Sequence, residues 1–346
     1  MKIKFWPYDL SLAHPWAIAS RKAARSHPVV LVELTDDEGV VGLGEAAPSR
    51  VYGETPAGVL AFCERVDARQ LSFADLPGSM NHVLGVAPGE KSAHCAFNLA
   101  LLDGAAQRAR QPLHDYFGLG FQDNHHRTSF SIGLDTPEVI RQKVLSAVDY
   151  PVLKLKVGAE RDQENLAALR AVAPTKLVRL DANEGWATKE QALQMIEQLA
   201  QAGPIEFIEQ PMPRETPPAD WAWLKARSPL PLFADESYRN AGDLARCVGG
   251  FHGVNVKLVK TGGASAAFEA LRAARQAGLQ TMIGCMIETS VLISAAAHLA
   301  ELADYLDLDG NLLTTNDPFS GVTAAKGMLS FASAPGKFGL RVAAKI

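Results

Sequence analysis

Apolar and polar positions alternate along this chain in two rhythms. Short runs, either of period two or apolar throughout, recur at 129–132, 152–156, 177–181, 206–209, 232–235, 254–257, 281–284 and 305–308. Such runs predict strands. Between several of them, apolar residues return at helical spacing over 137–148, 162–172, 189–201 and 264–277, which predicts amphipathic helices. Eight strands alternating with helices over this length give the arithmetic of a (β/α)₈ barrel. A doubly wound open sheet is the rival, but no glycine fingerprint follows a first strand.

The first 120 residues follow a different plan. Two apolar runs at 29–35 and 40–44, joined across Asp36-Asp37-Glu38-Gly39, predict a hairpin. Helical patterns cover 55–66 and 92–110, the second rich in alanine and leucine. This predicts an α+β unit over residues 1–121 and a barrel over 122–324, with the polar stretch Gln122-Asp123-Asn124-His125-His126-Arg127 at the start of the barrel unit. The tail, 325–346, is expected to return to the first unit and complete it.

Composition narrows the class without naming a chemistry. The chain has 346 residues, 47% hydrophobic and 21% charged, enough to bury a large core plus a second unit. A formal net charge of −4 offers no basic footprint for nucleic acid or an anionic membrane. The opening Met1-Lys2-Ile3-Lys4-Phe5-Trp6 does not read as a signal peptide, and no run reaches the length of a membrane span. The four cysteines are scattered with no C-x-x-C pair, which argues against disulfides or zinc and fits a cytoplasmic protein.

The chemistry lies at the strand ends, where barrel sites form. Asp181, Glu209 and Asp235 close the third, fourth and fifth predicted strands, 28 and 26 residues apart. One acid at such a position commonly caps a helix. Three in register repel one another and call for a hard cation, and oxygen ligands without histidine or cysteine point to Mg²⁺ or Mn²⁺, one per subunit. Lys154 and Lys156 share one face of the second strand, and the leucines between them claim the helix side. Two ammonium groups so close, and buried, are expected to lower one another's pKa, which makes a lysine fit to act as a base. Lys257 and Lys260 lie at the sixth strand, opposite the second. A substrate carboxylate held on the metal would present its α-carbon to Lys156 on one side and Lys257 on the other, the geometry of a two-base proton transfer through an enediolate. Asp307 and Asp309, on the eighth strand, look across at the metal. A cationic substrate end fits there, and an extended dipeptide, about 7 Å long, has the reach.

As an ordered set, K-L-K-V-G, D-A-N-E-G-W, E-Q-P, A-D-E-S, N-V-K-L-V-K-T-G-G and G-C-M-I-E-T-S resemble the enolase superfamily, in particular its muconate-lactonizing-enzyme-like subgroup. The resemblance spans nearly the whole chain. It implies an α/β fold, a modified TIM barrel (β/α)₇β with an N-terminal α+β capping domain. It also implies Mg²⁺ on Asp181, Glu209 and Asp235, Lys156 and Lys257 as the opposed acid/base pair, and Lys154 tuning Lys156. D-L-D-G is similar to the stretch by which dipeptide epimerases hold a substrate ammonium, and Arg21, or its competitor Arg25, falls near an arginine that meets glutamate in Ala-Glu epimerases. Asn183, Glu236, Lys260 and Glu288 are expected behind the reacting groups, with Cys285 nearby and the capping stretch 48–55 at the entrance. The function implied is epimerisation of a dipeptide's C-terminal residue, first L-Ala-D/L-Glu, by a cytoplasmic isomerase that binds neither nucleic acid nor membrane and can form a homo-oligomer. An o-succinylbenzoate-synthase or muconate-cycloisomerase reaction on the same site is the alternative, though neither substrate carries an ammonium. A non-catalytic binding barrel would be expected to have dropped a ligand or base, and none is missing.

Overall fold

A computed structural model gives the architecture; it describes residues 1–19 and 21–345, with Arg21 and Lys22 described in backbone only. Three antiparallel strands open the chain, β1 (Lys2–Ile18), β2 (Arg21–Thr35) and β3 (Val41–Ala46). The predicted hairpin is β2–β3, but β2 begins eight residues earlier than the sequence pattern indicates, and β1 was not legible at all. The reason is physical. Of the strand β1 only Leu10 is buried, and an edge strand otherwise exposed or half-buried carries no sustained apolar run to mark it. Helix Lys91–Arg108 covers the sheet. Its approach depends on two glycines of β3: a Cβ on Gly42 would stand 2.0 Å from the Ala100 carbonyl oxygen, and one on Gly44 1.9 Å from that of Ala96.

Eight parallel strands follow in consecutive order: β4 (Phe130–Ile132), β5 (Val152–Lys156), β6 (Leu177–Asp181), β7 (Ile205–Glu209), β8 (Leu232–Ala234), β9 (Gly253–Val256), β10 (Gln280–Gly284) and β11 (Tyr305–Asp307). A parallel bridge between Thr128 and Leu306 joins the two ends into a barrel. Helices follow the first seven strands and, among the described residues, none follows β11, so the barrel is (β/α)₇β. Helix Ser290–Ala297 escapes periodicity because all eight of its residues are buried. On β5 the alternation is as expected: Leu153 and Leu155 join the apolar layer with Ile140, Val144 and Leu166 of the helices, which turns Lys154 and Lys156 inward. The barrel floor is closed by Phe207, Phe233 and Met282, with buried Arg179 held by Glu206 at 2.6 Å and by the Leu306 carbonyl at 2.6 Å. No helix among the described residues is long and apolar enough to cross a membrane.

The chain's end lies against the capping helix, where Asp103 accepts from the Leu340 amide at 2.8 Å. Two buried histidines sit at this junction. His298 Nε2 donates to the Leu340 carbonyl at 3.1 Å, which leaves its Nδ1 to accept from His114 Nδ1 at 2.8 Å and from the His114 amide at 3.3 Å. Protonated His298 would face a donor with a donor. Burial first, then His114, lowers its pKa well below the ordinary histidine value. The unfolded chain therefore takes up a proton as pH falls through about 6.5, while the folded chain does not, and the stability His298 contributes is lost in that window. The margin in thermal midpoint of wild type over His298→Gln, measured by calorimetry, should shrink from pH 7.5 to 5.5. A margin independent of pH would contradict this arrangement.

Candidate active site

The barrel register brings the acids together. Asp181 and Glu209 are paired across β6 and β7, Lys156 is paired with Asp181 across β5 and β6, and Asp235 follows the last residue of β8. One oxygen from each of Asp181, Glu209 and Asp235 lies within 4.8 Å of the others, and all three side chains are buried. Burial opposes their charge, so cations must answer it. Lys154 Nζ stands 3.0 Å from Asp181, 2.7 Å from Glu209 and 2.7 Å from Asp307. Lys156 reaches Asp181 at 2.6 Å. Asp235 takes Lys257 at 2.8 Å and Lys260 at 2.6 Å.

These neighbours set the charge states. Burial would raise Asp181, but Lys154 and Lys156 hold it below the usual carboxylate range, and Lys257 and Lys260 do the same more strongly for Asp235. Glu209 is pushed up to about 7 by burial and Asp181, and Glu236 to about 8 by burial and Asp235. The expectation that paired lysines would depress one another fails for Lys154. Burial alone would lower it, but Asp181, Asp307 and Glu209 hold it well above the ordinary lysine range. The sequence pattern counted the two ammoniums and not the acids that three other strands place around them. Lys257 is likewise held high, against burial, by Asp235 and Glu209.

Several buried acceptors are left without a hydrogen bond: Glu209 Oε2, Asn183 Oδ1 and Glu236 Oε2. Lys154 is close to the first, but not aligned to donate to it. Three converging carboxylates, with a spare oxygen on Glu209, fit a hard divalent cation of the Mg²⁺ kind.

The loops after the strands are braced in place. Asn183 (φ 42°), Glu184 (φ 67°) and Gln210 (φ 36°) adopt left-handed backbone rare for non-glycine residues. Gln210 explains its own conformation: its Oε1 accepts from the amides of Asp235 and Ser237, and its Nε2 donates to Met212 and Ser237. Asn183 donates to Asp181 through its amide at 3.0 Å and to Glu236 through its side chain at 3.3 Å. Lys260, on the turn Leu258–Thr261, grips both the side chain and the carbonyl of Asp235.

Above the acids is a cavity of about 100 Å³, walled by Lys154, Lys156, Asp235, Lys257, Asp307 and Asp309. The two aspartates at the end of β11 are not equivalent. Asp307 accepts from Ser129 Oγ and Lys154, both at 2.7 Å, and is lowered to about 2, chiefly by Lys154 against burial. Asp309 accepts from the Ser131 amide at 2.5 Å and is pushed up to about 7 by burial and by Asp307. Both line the cavity, but Asp307 is paired with an ammonium and Asp309 is not. Glu288 supports the loop after β10 through the Met286 amide at 2.9 Å, while Cys285 lines the cavity 3.9 Å from Asp309. Arg25 is exposed and does not line the cavity; the Arg21 side chain lies outside the described residues.

The capping domain supplies the remaining wall, with Trp16 and Ile18 from β1 and Ser49, Val51 and Tyr52 from the stretch expected at the entrance. Tyr52 sits within 6 Å of two barrel guanidiniums, Arg214 at 5.9 Å and Arg239 at 5.2 Å from its ring centre. Tyr52 falls in the stretch expected at the entrance, whereas Trp16 was missed by sequence reasoning because nothing local marks a residue that acts on a distant barrel. Gln210 stood inside the E-Q-P motif and could have been found there.

Residues 138–337 match the model of the enolase C-terminal domain-like family, and residues 6–118 that of the mandelate racemase/muconate lactonizing enzyme N-terminal domain. The chain belongs to the enolase superfamily. Within this superfamily it is 65% identical to the L-Ala-D/L-amino acid epimerase of Pedosphaera parvula, over 100% of both chains. Its backbone is similar to that of the substrate-liganded L-Ala-D/L-Glu epimerase of Bacillus subtilis, with a TM-score of 0.92 at 27% identity and coverage of 100% and 99%. It is also similar to the dipeptide epimerase of Cytophaga hutchinsonii complexed with Mg and D-Ala-L-Val, with a TM-score of 0.91 at 26% identity and coverage of 99% and 95%.

Mg²⁺ added to the metal-free protein should bind saturably and raise the thermal midpoint, adding about 2.7 kcal/mol of stability at one hundred times its Kd. Both effects should vanish in Asp181→Ala. Calorimetry that found no Mg²⁺ binding would sink the metal reading.

Proposed function

We propose that this protein is a Mg²⁺-dependent dipeptide epimerase that inverts the α-carbon of the C-terminal residue of an L-Ala-X dipeptide, with glutamate the first candidate for X. The observation that carries this reading is that Lys156 and Lys257, from strands four apart in the eight-stranded barrel, line one cavity with Asp309, with the three clustered carboxylates on the strands between them. Asp181, Glu209 and Asp235 would hold the ion. Bound there, Mg²⁺ supplies positive charge that stabilises the negative charge growing on a substrate carboxylate as its α-proton leaves.

The chain's own groups do the rest. One lysine takes the α-proton from one face and the other returns a proton to the opposite face, so the configuration inverts. In the reverse direction the two exchange roles. Asp309 is suited to the substrate's ammonium: burial keeps it poised near neutral pH, and an adjacent cation would favour its charged form. Asp307 and Ser129 hold Lys154 in place between the acids. Trp16 and Tyr52 close the cavity from the cap and exclude water from the reacting carbon. Four cysteines without disulfides suit a cytoplasmic enzyme.

Incubation with L-Ala-L-Glu and a panel of L-Ala-X dipeptides in D₂O should give α-deuterium incorporation and the epimer, followed by NMR. Lys156→Ala and Lys257→Ala should each lower epimerisation by about 10²–10⁴-fold, and Asp309→Asn should raise KM. No exchange with any dipeptide of the panel would overturn the proposal.

A further inference from the structure

Glu209 makes one hydrogen bond to an uncharged side chain, and its partner is Asn255 on β9. We propose that Asn255 is the positioning residue for Glu209, fixing its carboxylate so that Oε2 is presented to the cation; this rests on Glu209 being one of the three metal-holding acids.

The geometry is specific. Asn255 Nδ2 donates to Glu209 Oε1 at 2.7 Å, and both side chains are fully buried. A carboxylate offers only lone pairs, so the amide must present its NH₂ end there. Its other end, Oδ1, has no partner. A residue kept only for packing would satisfy both ends or neither, because an unpartnered buried carbonyl is a cost. What the site keeps is the donor.

Room for this amide is cut from the neighbouring strand. Asn255 is paired with Met282 on β10, and Gly284 lies two residues further on the same face. A Cβ on Gly284 would stand 2.5 Å from Asn255 Oδ1 and 2.7 Å from Nδ2. Any other residue there would push the amide off Glu209. The backbone of Asn255 is fixed as well, since its carbonyl accepts from Lys260 at 2.9 Å, the same ammonium that holds Asp235.

There is also a rival for Glu209. Lys154 Nζ stands 2.7 Å from Oε2 without the alignment of a hydrogen bond. With Oε1 tied to Asn255, the carboxylate cannot turn fully to that ammonium, and Oε2 is left as the oxygen without a hydrogen bond. Asn255 touches neither the α-carbon nor the lysines that flank it, so its effect passes through the metal.

The test is metal affinity, measured on the full chain by Mn²⁺ electron paramagnetic resonance and Mg²⁺ calorimetry. Asn255→Leu should weaken binding about 10–100-fold, while the thermal midpoint of the metal-free protein changes little. Gly284→Ala, which displaces the amide without altering it, should weaken binding in the same direction. If Asn255→Leu does not fold, Asn255→Ser serves, since serine cannot reach Glu209. Saturating Mg²⁺ should restore most of the dipeptide turnover at an unchanged dipeptide KM, which a general packing defect would not do. Glu209→Gln is the control that separates the two layers. Wild-type affinity in the folded Asn255 variant, with affinity lost in Glu209→Gln, overturns the positioning role alone. Wild-type affinity in Glu209→Gln overturns Glu209 as a ligand and this inference with it.

Discussion

The charge balance at the top of the barrel governs everything around it. Asp181, Glu209, Asp235 and Asp307 are buried within reach of Lys154, Lys156, Lys257 and Lys260. Each ion taken from water costs several kcal/mol even after relaxation, so neither set could be buried without the other. The pairing is deliberately uneven. Asp235 has two lysines to itself, while Glu209 has only a share of Lys154 and is left with a carboxyl poised near 7. A cluster that balanced every acid would have no free oxygen for a cation. This one leaves three acceptors without a hydrogen bond, one of them on Glu209 itself.

The same logic explains why the barrel is layered. Below the acids, the inward positions carry Phe207, Phe233 and Met282 with Arg179 stacked at 5.5 Å over Phe207, and the guanidinium spends its hydrogen bonds on Glu206 and a backbone carbonyl. An apolar floor sealed in this way keeps water from entering beneath the carboxylates. Low local dielectric strengthens each ion pair above it. Strong pairs in turn fix the lysine side chains, whose long stems would otherwise cost rotamer entropy to order. Rigid lysines are what a stereochemical inversion requires, because each must meet one face of a carbon and not wander to the other.

Much of this was legible in the sequence because barrels repeat. The period-two runs located the eight strands to within a residue or so, and the even spacing of Asp181, Glu209 and Asp235 placed them on one rim. Asp235 and Lys257 lie one residue beyond β8 and β9, a shift too small to change which way they point. What local pattern could not supply was the environment of each charge. Lys154 was expected to be lowered by Lys156, whereas its fate is decided by acids from three other strands. Asp307 and Asp309 looked like a matched pair, yet one is held by Lys154 and Ser129 and the other only by the Ser131 amide. The cap was the least legible part. Its long strands are half exposed, and Trp16 and Tyr52 act on a site more than a hundred residues away in sequence.

The join between cap and barrel shows why those remote contributions are dependable. Glu45, the residue after Gly44 on β3, is fully buried and accepts from the Thr289 amide at 2.8 Å, the Thr289 hydroxyl at 2.5 Å and the Leu292 amide at 3.2 Å. Those donors form the start of helix Ser290–Ala297, where the free amides and the helix dipole favour an acceptor. The cap therefore completes a barrel helix that begins just after Cys285, Met286 and Ile287, three residues of the cavity wall. On the other side, the strand paired with β2 carries Trp16 and Ile18 into the same cavity. One small sheet thus bears on two parts of the cavity wall at once. The shape offered to a substrate side chain is a property of the cap's packing on the barrel, and the charge offered to its α-carbon is a property of the barrel alone.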